Sequence, residues 1–235
     1  MRSFVVMAMM LASLAGARTM GYTEERTLEL PAAGIAELEI DAGAGSMQVQ
    51  GVEGSDKIRV KALIQVDQDN ADKARKLIAS NMRLELVRDG DEAKLESHFE
   101  RSLLGGNPGA IALEIEVPVG MALEIEDSAG SIVVRNTGGD LKIDDSSGSI
   151  RIFGVGSIDI EDSSGSIQIA DASGDVDIED GSGSMVVERV GGSVRIDDGS
   201  GSIKVSGVEA DVTIDNAGTG GVSVTDVRGK VTRSD

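Results

Sequence analysis

The chain has 235 residues, 40% of them hydrophobic, and its 41 acidic and 22 basic residues give a formal net charge of -19. This length suffices for one or two domains with a buried core, and the acidic excess argues against nucleic acid and anionic membranes as partners, because both are bound through lysine and arginine. The absence of cysteine excludes disulfides and thiolate metal sites, and with only 2% aromatic residues the core must be aliphatic.

The N-terminal segment has the parts of a secretory signal peptide. Basic Arg2 is followed by an apolar run from Phe4 to Leu14 and by the small residues Ala15-Gly16-Ala17. The run is too short to span a bilayer, which takes about 20 residues. We therefore predict that residues 1–17 are removed after Ala17, and that the protein is exported to the periplasm or cell surface without stable membrane insertion.

Strand patterns begin soon after this signal. Thr27–Leu30 alternates weakly and predicts a first strand, and the strict alternation of Lys57–Val66 predicts another. Between them, Leu38–Ser55 (LEIDAGAGSMQVQGVEGS) matches a repeat that recurs later in the chain. The first repeats are therefore assigned to residues 35–66.

Residues 67–109 interrupt the repeat and predict a small α+β lobe inserted into it, which could cover open strand edges. The Asp-Gly pair within this segment is typical of a hairpin turn. The predicted elements are a helix capped by Asp69 or Asn70 that ends at Ser80, strands Arg83–Arg88 and Ala93–Phe99 joined by Asp89-Gly90-Asp91, and a loop Leu103–Gly109.

Six consecutive copies of one motif fill Leu123–Lys230, within a main array predicted over residues 110–235. The first copy reads LEIEDSAGSIVVRNTGGD, and the period is 18 residues, with one copy of 17 and one of 19. Numbering each copy from position 1, positions 1 and 3 are apolar in all six copies, and positions 10 and 12 are apolar in the first five. Period-two spacing places each pair on one face of a strand, and no copy offers the spacing of a helix.

The repeat therefore predicts a mainly β protein, a single-stranded parallel β-solenoid with a small α+β insertion, forming one domain over residues 18–235. Parallel crossovers are usually right-handed, so a right-handed solenoid is expected. At about 4.8 Å between rungs, six copies make a rod about 29 Å long. Positions 5 to 9, as in Asp145-Ser146-Ser147-Gly148-Ser149, form the sharp turn between the two strands.

The repeated D-S-S-G-S-I, which begins at Asp145 and Asp162, occurs together with the run EVPVGMALEI from Glu116 to Ile125 and with the signal peptide. In this combination the chain resembles the bacterial DUF4097 family of "putative adhesins" from about Ile35 to its C-terminus. The resemblance implies an exported β-solenoid with an adhesin-like role and brings no catalytic residues.

Acidic side chains at positions 4 and 5 are the strongest candidate for a site. Alternation should place the two positions on different sides of the strand, with position 5 accepting hydrogen bonds from the turn amides. The alternative is calcium, which prefers carboxylate and carbonyl oxygens, although the GGxGxD nonapeptide of calcium-binding β-rolls is absent. The calcium hypothesis concerns Asp145, Asp162, Asp180 and Asp198.

Catalytic constellations are not evident. The sole histidine, His98, lies in the inserted segment, so the turn serines have no histidine near them in sequence to act as general base. We predict a non-enzymatic, adhesin-like binding protein without a cofactor, which presents a regular acidic surface to an unknown envelope or surface partner. The alternatives are an envelope structural or stress-related component that docks a protein at the last rung, near Val222–Val231, and a carbohydrate-active enzyme. Carbohydrate sites usually offer aromatic platforms, and only Phe153 lies within the repeats.

Overall fold

A computed structural model describes residues 21–100 and 108–234. The predicted signal peptide, residues 1–17, lies outside the described residues, as does most of the predicted loop, residues 103–107. The elements of the described residues are, in order, β1 (Tyr22–Pro31), β2 (Glu37–Ala44), β3 (Met47–Val52), β4 (Lys57–Val66), α1 (Ala71–Asn81), β5 (Met82–Asp89), β6 (Glu92–Phe99), β7 (Gly109–Pro118), β8 (Ala122–Arg135), β9 (Leu141–Asp145), β10 (Gly148–Val155), β11 (Ile158–Asp162), β12 (Gly165–Ala172), β13 (Val176–Asp180), β14 (Gly183–Val190), β15 (Val194–Asp198), β16 (Gly201–Val208), β17 (Val212–Asn216), β18 (Val222–Val227) and β19 (Val231–Arg233).

These strands form two facing sheets that share β8. Sheet A has the order β1-β4-β7-β3-β8-β10-β12-β14-β16-β18. Sheet B has the order β5-β6-β2-β8-β9-β11-β13-β15-β17-β19. From β8 onward every pairing is parallel, so each repeat contributes one strand to each sheet and the predicted β-solenoid of stacked 18-residue rungs is confirmed. Its handedness stays a prediction.

The register follows the repeat through both irregular copies. Leu141 pairs with Ile158, so the 17-residue copy keeps its strands aligned and loses its residue in the turn that follows β10. In the 19-residue copy the pairing shifts after Ile196, and Asp197 lies opposite Asn216. The insertion is therefore absorbed by a bulge in β17.

The early copy at Leu38–Ser55 belongs to the same stack. Leu38 lies opposite Leu123 and Met47 opposite Ile132, which confirms the match made from sequence. The predicted hairpin β5–β6 is also present, and its second strand pairs in parallel with β2. Gly90, at its turn, has a φ of 70°, a value that favours glycine.

One end of the stack carries α1. Asn70 caps this helix, since its side-chain oxygen accepts hydrogen bonds from the amides of Asp72 and Lys73, so the first alternative, Asp69, is wrong. Ala74 and Ile78 are buried against the core. The adjacent strand β1 is longer than predicted and pairs antiparallel with the whole of β4. No helix in the described ranges is long and apolar enough to cross a membrane.

The core lies between the two sheets. The apolar side chains at positions 1, 3, 10 and 12 of β8 to β17 are all buried, as predicted. Position 15, which the period-two pattern does not include, is also buried on most rungs. A left-handed residue at position 14 precedes it and returns the chain toward the interior. The buried members are Thr137, Val155, Ala172, Val190 and Val208.

Candidate functional site

The two adjacent acidic positions of each repeat lie on opposite sides of sheet B. Position 4 faces solvent, whereas position 5 points between the sheets, because consecutive side chains of a strand alternate. In β9, Asp144 is exposed while Asp145 is only 1% exposed. The same division recurs on every rung from β8 to β15, so the sequence produces two separate columns of carboxylates.

The outer face of sheet B, positions 2 and 4 from β8 to β17, is strongly acidic. It carries nine acidic and two basic side chains, so its formal charge is 2 - 9 = -7. The two basic residues lie toward its ends, where Lys142 Nζ is 2.7 Å from Glu124 Oε1 and Arg195 Nε is 2.7 Å from Asp215 Oδ2. The acidic members are Glu124, Glu126, Asp144, Asp159, Glu161, Asp177, Glu179, Asp197 and Asp215.

The outer face of sheet A on the same rungs has a different character. Its positions 11 and 13 carry three basic side chains and one acidic side chain from β8 to β16, a formal charge of 3 - 1 = +2. Phe153 lies on this face, with the Arg135 guanidinium 5.4 Å from the ring centroid. The one aromatic residue of the repeats is thus on the opposite side from the acidic face, which separates the two components that a glycan-cleaving site would combine.

The inner column is an uninterrupted stack of buried aspartates, here called the aspartate ladder. Its members are Asp127, Asp145, Asp162, Asp180 and Asp198, each 0–6% exposed and paired in register with the next where adjacent strands meet. Ala42 precedes the ladder, opposite Asp127. The sixth copy does not extend it: the register shift places Asn216 on the exposed side, and the buried residue that follows is Ala217.

The predicted role of position 5 in the turn is present. On four rungs the aspartate Oδ1 accepts a hydrogen bond from the amide two residues later, at 3.0–3.1 Å, as Asp145 does from Ser147. The other oxygen, Oδ2, is buried on all five ladder aspartates and accepts no hydrogen bond from the described residues. On these four rungs the carboxyl therefore has one bonded and one unbonded oxygen inside the protein.

Burial raises the pKa of every ladder aspartate. It raises the pKa of Asp127 to about 7, with the Asp145 charge as the second cause, and the pKa values of Asp145 and Asp180 to about 6. The pKa values of Asp162 and Asp198 are raised for the same first reason. Two charges about 4.8 Å apart repel by about 0.9 kcal/mol in bulk water and about 3.5 kcal/mol at an effective dielectric constant of about 20, so full ionisation of the ladder is costly.

A third column of side chains, at the other corner of the solenoid, avoids this repulsion because aspartate alternates with serine from rung to rung. Asp140, Asp175 and Asp211 occupy every second rung, and serines 157 and 193 lie between them. Each of these aspartates accepts a hydrogen bond from the backbone amide of the next rung, at 2.6–2.8 Å. Acidic residues on successive rungs are therefore not an unavoidable result of the repeat.

His98 Nδ1 has no hydrogen-bond partner among the described residues. The residue is on β6, its side chain is 30% exposed, and its Nδ1 is 3.9 Å from Asp41 Oδ2. Its ionic neighbour is thus a carboxylate of β2. The sequence-based interpretation of His98 as a residue without a catalytic role stays a prediction.

Calcium at Asp145, Asp162, Asp180 and Asp198 also stays a hypothesis from sequence. Within residues 21–100 and 108–234, no cluster of three or more histidine or acidic side chains is arranged to hold a metal ion. Because a ligand that binds only the folded state raises its stability, calcium binding would raise the melting temperature. We expect equal melting temperatures in millimolar calcium and in chelator; a rise with calcium that disappears in an Asp162→Asn, Asp180→Asn variant would contradict this.

Comparison with known proteins finds several solved structures that are similar to the chain. It is similar to a "putative adhesin" from Bacteroides fragilis (14% identity, 89% of this chain and 97% of that one, TM-score 0.42) and to a "putative cell adhesion protein" from Clostridium sporogenes (15%, 91% and 99%, TM-score 0.36). A "putative lipid binding protein" from Parabacteroides distasonis is similar as well (15%, 90% and 97%, TM-score 0.38). No protein-family model and no curated protein matches the chain. At these identities and TM-scores the likenesses carry no argument about what this chain binds.

Proposed function

We propose that the protein is an exported, adhesin-like binding protein without catalytic activity, which engages an envelope or surface partner through the outer face of sheet B. Membership of the DUF4097 family, on the motifs given above, is part of this proposal, and so is removal of residues 1–17 during export. The observation that carries the proposal is the regular spacing of nine carboxylates on one face of the solenoid, with a net charge of -7.

The face suits a cationic partner with a repeated structure. Each rung offers the same small acidic unit about 4.8 Å from the next. A partner with several basic groups can contact several units at once, and the combined affinity then exceeds that of one contact. The middle of the face is the part least neutralised by the protein itself, since the ion pairs of Lys142 and Arg195 lie toward its ends.

Site-specific crosslinking in intact cells tests the proposal. A photoreactive residue at position 159 samples the acidic face, and one at position 168, on the outer face of sheet A in the same rung, is the matched control. We expect a partner to be captured from position 159 and not from 168, and capture to fall at least several-fold when Glu161 and Glu179 are changed to glutamine. Equal capture from both faces, or none where known envelope contacts are captured, would contradict it.

A second candidate is favoured by the free end of the solenoid. β18 and β19 each pair with one strand only among the described strands, and Val231 is 49% exposed. An open pair of parallel edges is suited to strand addition by a protein partner. If this end is the docking site, Val224→Lys should abolish partner capture while the two glutamine substitutions leave it unchanged, which is the reverse of the pattern expected for the acidic face.

A further inference from the structure

We propose that the aspartate ladder retains protons in mild acid, where ordinary aspartates are ionised, and is a pH-responsive element of the solenoid, which holds the corner of the rungs together while it is protonated and loosens it when it ionises. The ladder consists of the five aspartates defined above. The proposal is independent of the partner proposed for the outer face.

On three rungs the buried Oδ2 of the ladder aspartate lies close to a glycine of the sharp turn. A Cβ atom built on Gly165 would lie 3.3 Å from Asp162 Oδ2 and would also overlap the carbonyl oxygen of Gly148 on the preceding rung. The equivalent carbonyl and carboxyl oxygens lie close to a Cβ atom built on Gly148 or on Gly183. On each of these rungs a carboxyl oxygen and a carbonyl oxygen, both hydrogen-bond acceptors, thus border the same small space left by a glycine.

A proton on one of two acceptors that border the same space reduces the repulsion between them. An ionised carboxylate can only accept hydrogen bonds, whereas a protonated carboxyl has one O–H donor. Since Oδ1 already accepts from the turn amide, the proton belongs on Oδ2, where it can donate toward an oxygen of the neighbouring rung. Protonation therefore satisfies an atom that would otherwise be buried without a partner.

The surroundings of the ladder offer no cation to replace that proton. The charged groups that act on it are carboxylates, namely the neighbouring ladder members together with Asp144 beside Asp145 and Asp197 beside Asp198. The strands of sheet A that face it, β10, β12 and β14, contribute apolar side chains to the interior, and the turns contribute serine and glycine. Among the described residues, all the charge near the ladder is negative, which favours the neutral form.

The direction of the pH dependence follows from the raised pKa values. The folded state holds protons that the unfolded chain, with an aspartate pKa of 3.8, has already released. The stability contributed by the ladder is therefore greatest below about pH 4, falls as the pH rises toward about 7, and is constant above that. This is the opposite of the usual contribution of ion-paired aspartates, whose stabilisation is lost in acid.

Thermal denaturation of the purified protein from pH 4 to pH 8.5 tests the proposal, with Asp162→Asn as the ladder variant and Glu161→Gln as the control. The control removes a carboxylate of the same strand from the outer face. We expect Asp162→Asn to raise the melting temperature by roughly 5 °C at pH 8, and this gain to vanish near pH 4, because asparagine mimics the protonated acid. We expect Glu161→Gln to show no such pH-dependent difference.

A gain of the same size at both pH values, or a loss at pH 8, would overturn the proposal. Should Asp162→Asn fail to fold, infrared difference spectroscopy of the unmodified protein decides instead. Protonated carboxylic acid signals that persist at pH 6 and disappear by pH 8 support the proposal, and their absence at pH 6 contradicts it. Millimolar calcium should leave both measurements unchanged, and a calcium-induced loss of the acid signals would show that a cation, and not a proton, occupies the ladder.

Discussion

Replacing Ile160 by aspartate is expected to unfold the middle of the solenoid. Ile160 is fully buried at position 3 of β11, between Ile143 and Ile178 on the neighbouring rungs. The substitution removes about 1.5–3 kcal/mol of apolar burial and adds a charge without a partner. Unlike the ladder aspartate at position 5, this side chain has no turn amide beside it. We expect a loss of about 4–5 kcal/mol or more in the free energy of unfolding, measured by denaturant titration.

The matched control is Gln168→Asp, which introduces the same side chain on an exposed position of the next strand. It should change the free energy of unfolding by about 0.5 kcal/mol or less. Because a solenoid rung is stabilised mainly by its two neighbours, hydrogen exchange in Ile160→Asp should increase first in β9, β11 and β13. A variant that denatures within about 1 kcal/mol of the parent protein would contradict the assignment of position 3 to the core.

The second large effect is expected from Gly165→Ala. Gly165 has a φ of 156°, and a methyl group at its Cα would overlap the carbonyl oxygen of Gly148 in the rung before it. The obstacle is backbone against backbone, so rotation of a side chain cannot relieve it. We expect a loss of about 3 kcal/mol or more, and a melting temperature lowered by at least about 6 °C.

Gly221→Ala is the control for this substitution. No atom lies within 4 Å of a Cβ built on Gly221, and its backbone is not in the left-handed region. Its melting temperature should stay within about 2 °C of the parent value. If Gly165→Ala is equally silent, the glycines of the sharp turn do not stack as described.

Much of the fold could be predicted from the sequence because the same pattern of apolar residues recurs in several copies. A single apolar pair such as Leu38 and Ile40 is compatible with any strand, but its recurrence in seven copies predicts both the strand and its parallel partner. The buried residue Val155 was not predicted, because the period-two pattern from Ile150 ends before it. The left-handed residue at position 14 turns the chain so that position 15 faces the interior, but its identity varies, with Gly154 on one rung and Arg189 on another. In the sequence, only the recurrence of small, mostly apolar residues at position 15 could have indicated that this position is buried.

The candidate site was predictable in part. The alternation of side chains along β9 suffices to predict that Asp144 and Asp145 lie on opposite sides of the sheet. The turn pattern predicts that the Asp145 carboxylate accepts a hydrogen bond from a turn amide. The free Oδ2 and the raised pKa values could not be predicted, since they depend on how closely the neighbouring rung and the opposite sheet enclose the carboxyl group. The register of the sixth copy is a further difference. By sequence position Asn216 occupies position 5, whereas the shift in pairing after Ile196 places it at the surface.

The acidic residues of the repeats are divided into a buried column, which we expect to hold protons in mild acid, and an exposed column on the outer face of sheet B. Carbon-13 NMR titration of the carboxyl groups, followed residue by residue, tests this division most directly. We expect the five ladder aspartates to titrate above the ordinary aspartate range, with a pKa of about 6 for Asp145 and Asp180 and about 7 for Asp127. Ladder aspartates that are all fully ionised by about pH 5 would contradict this expectation.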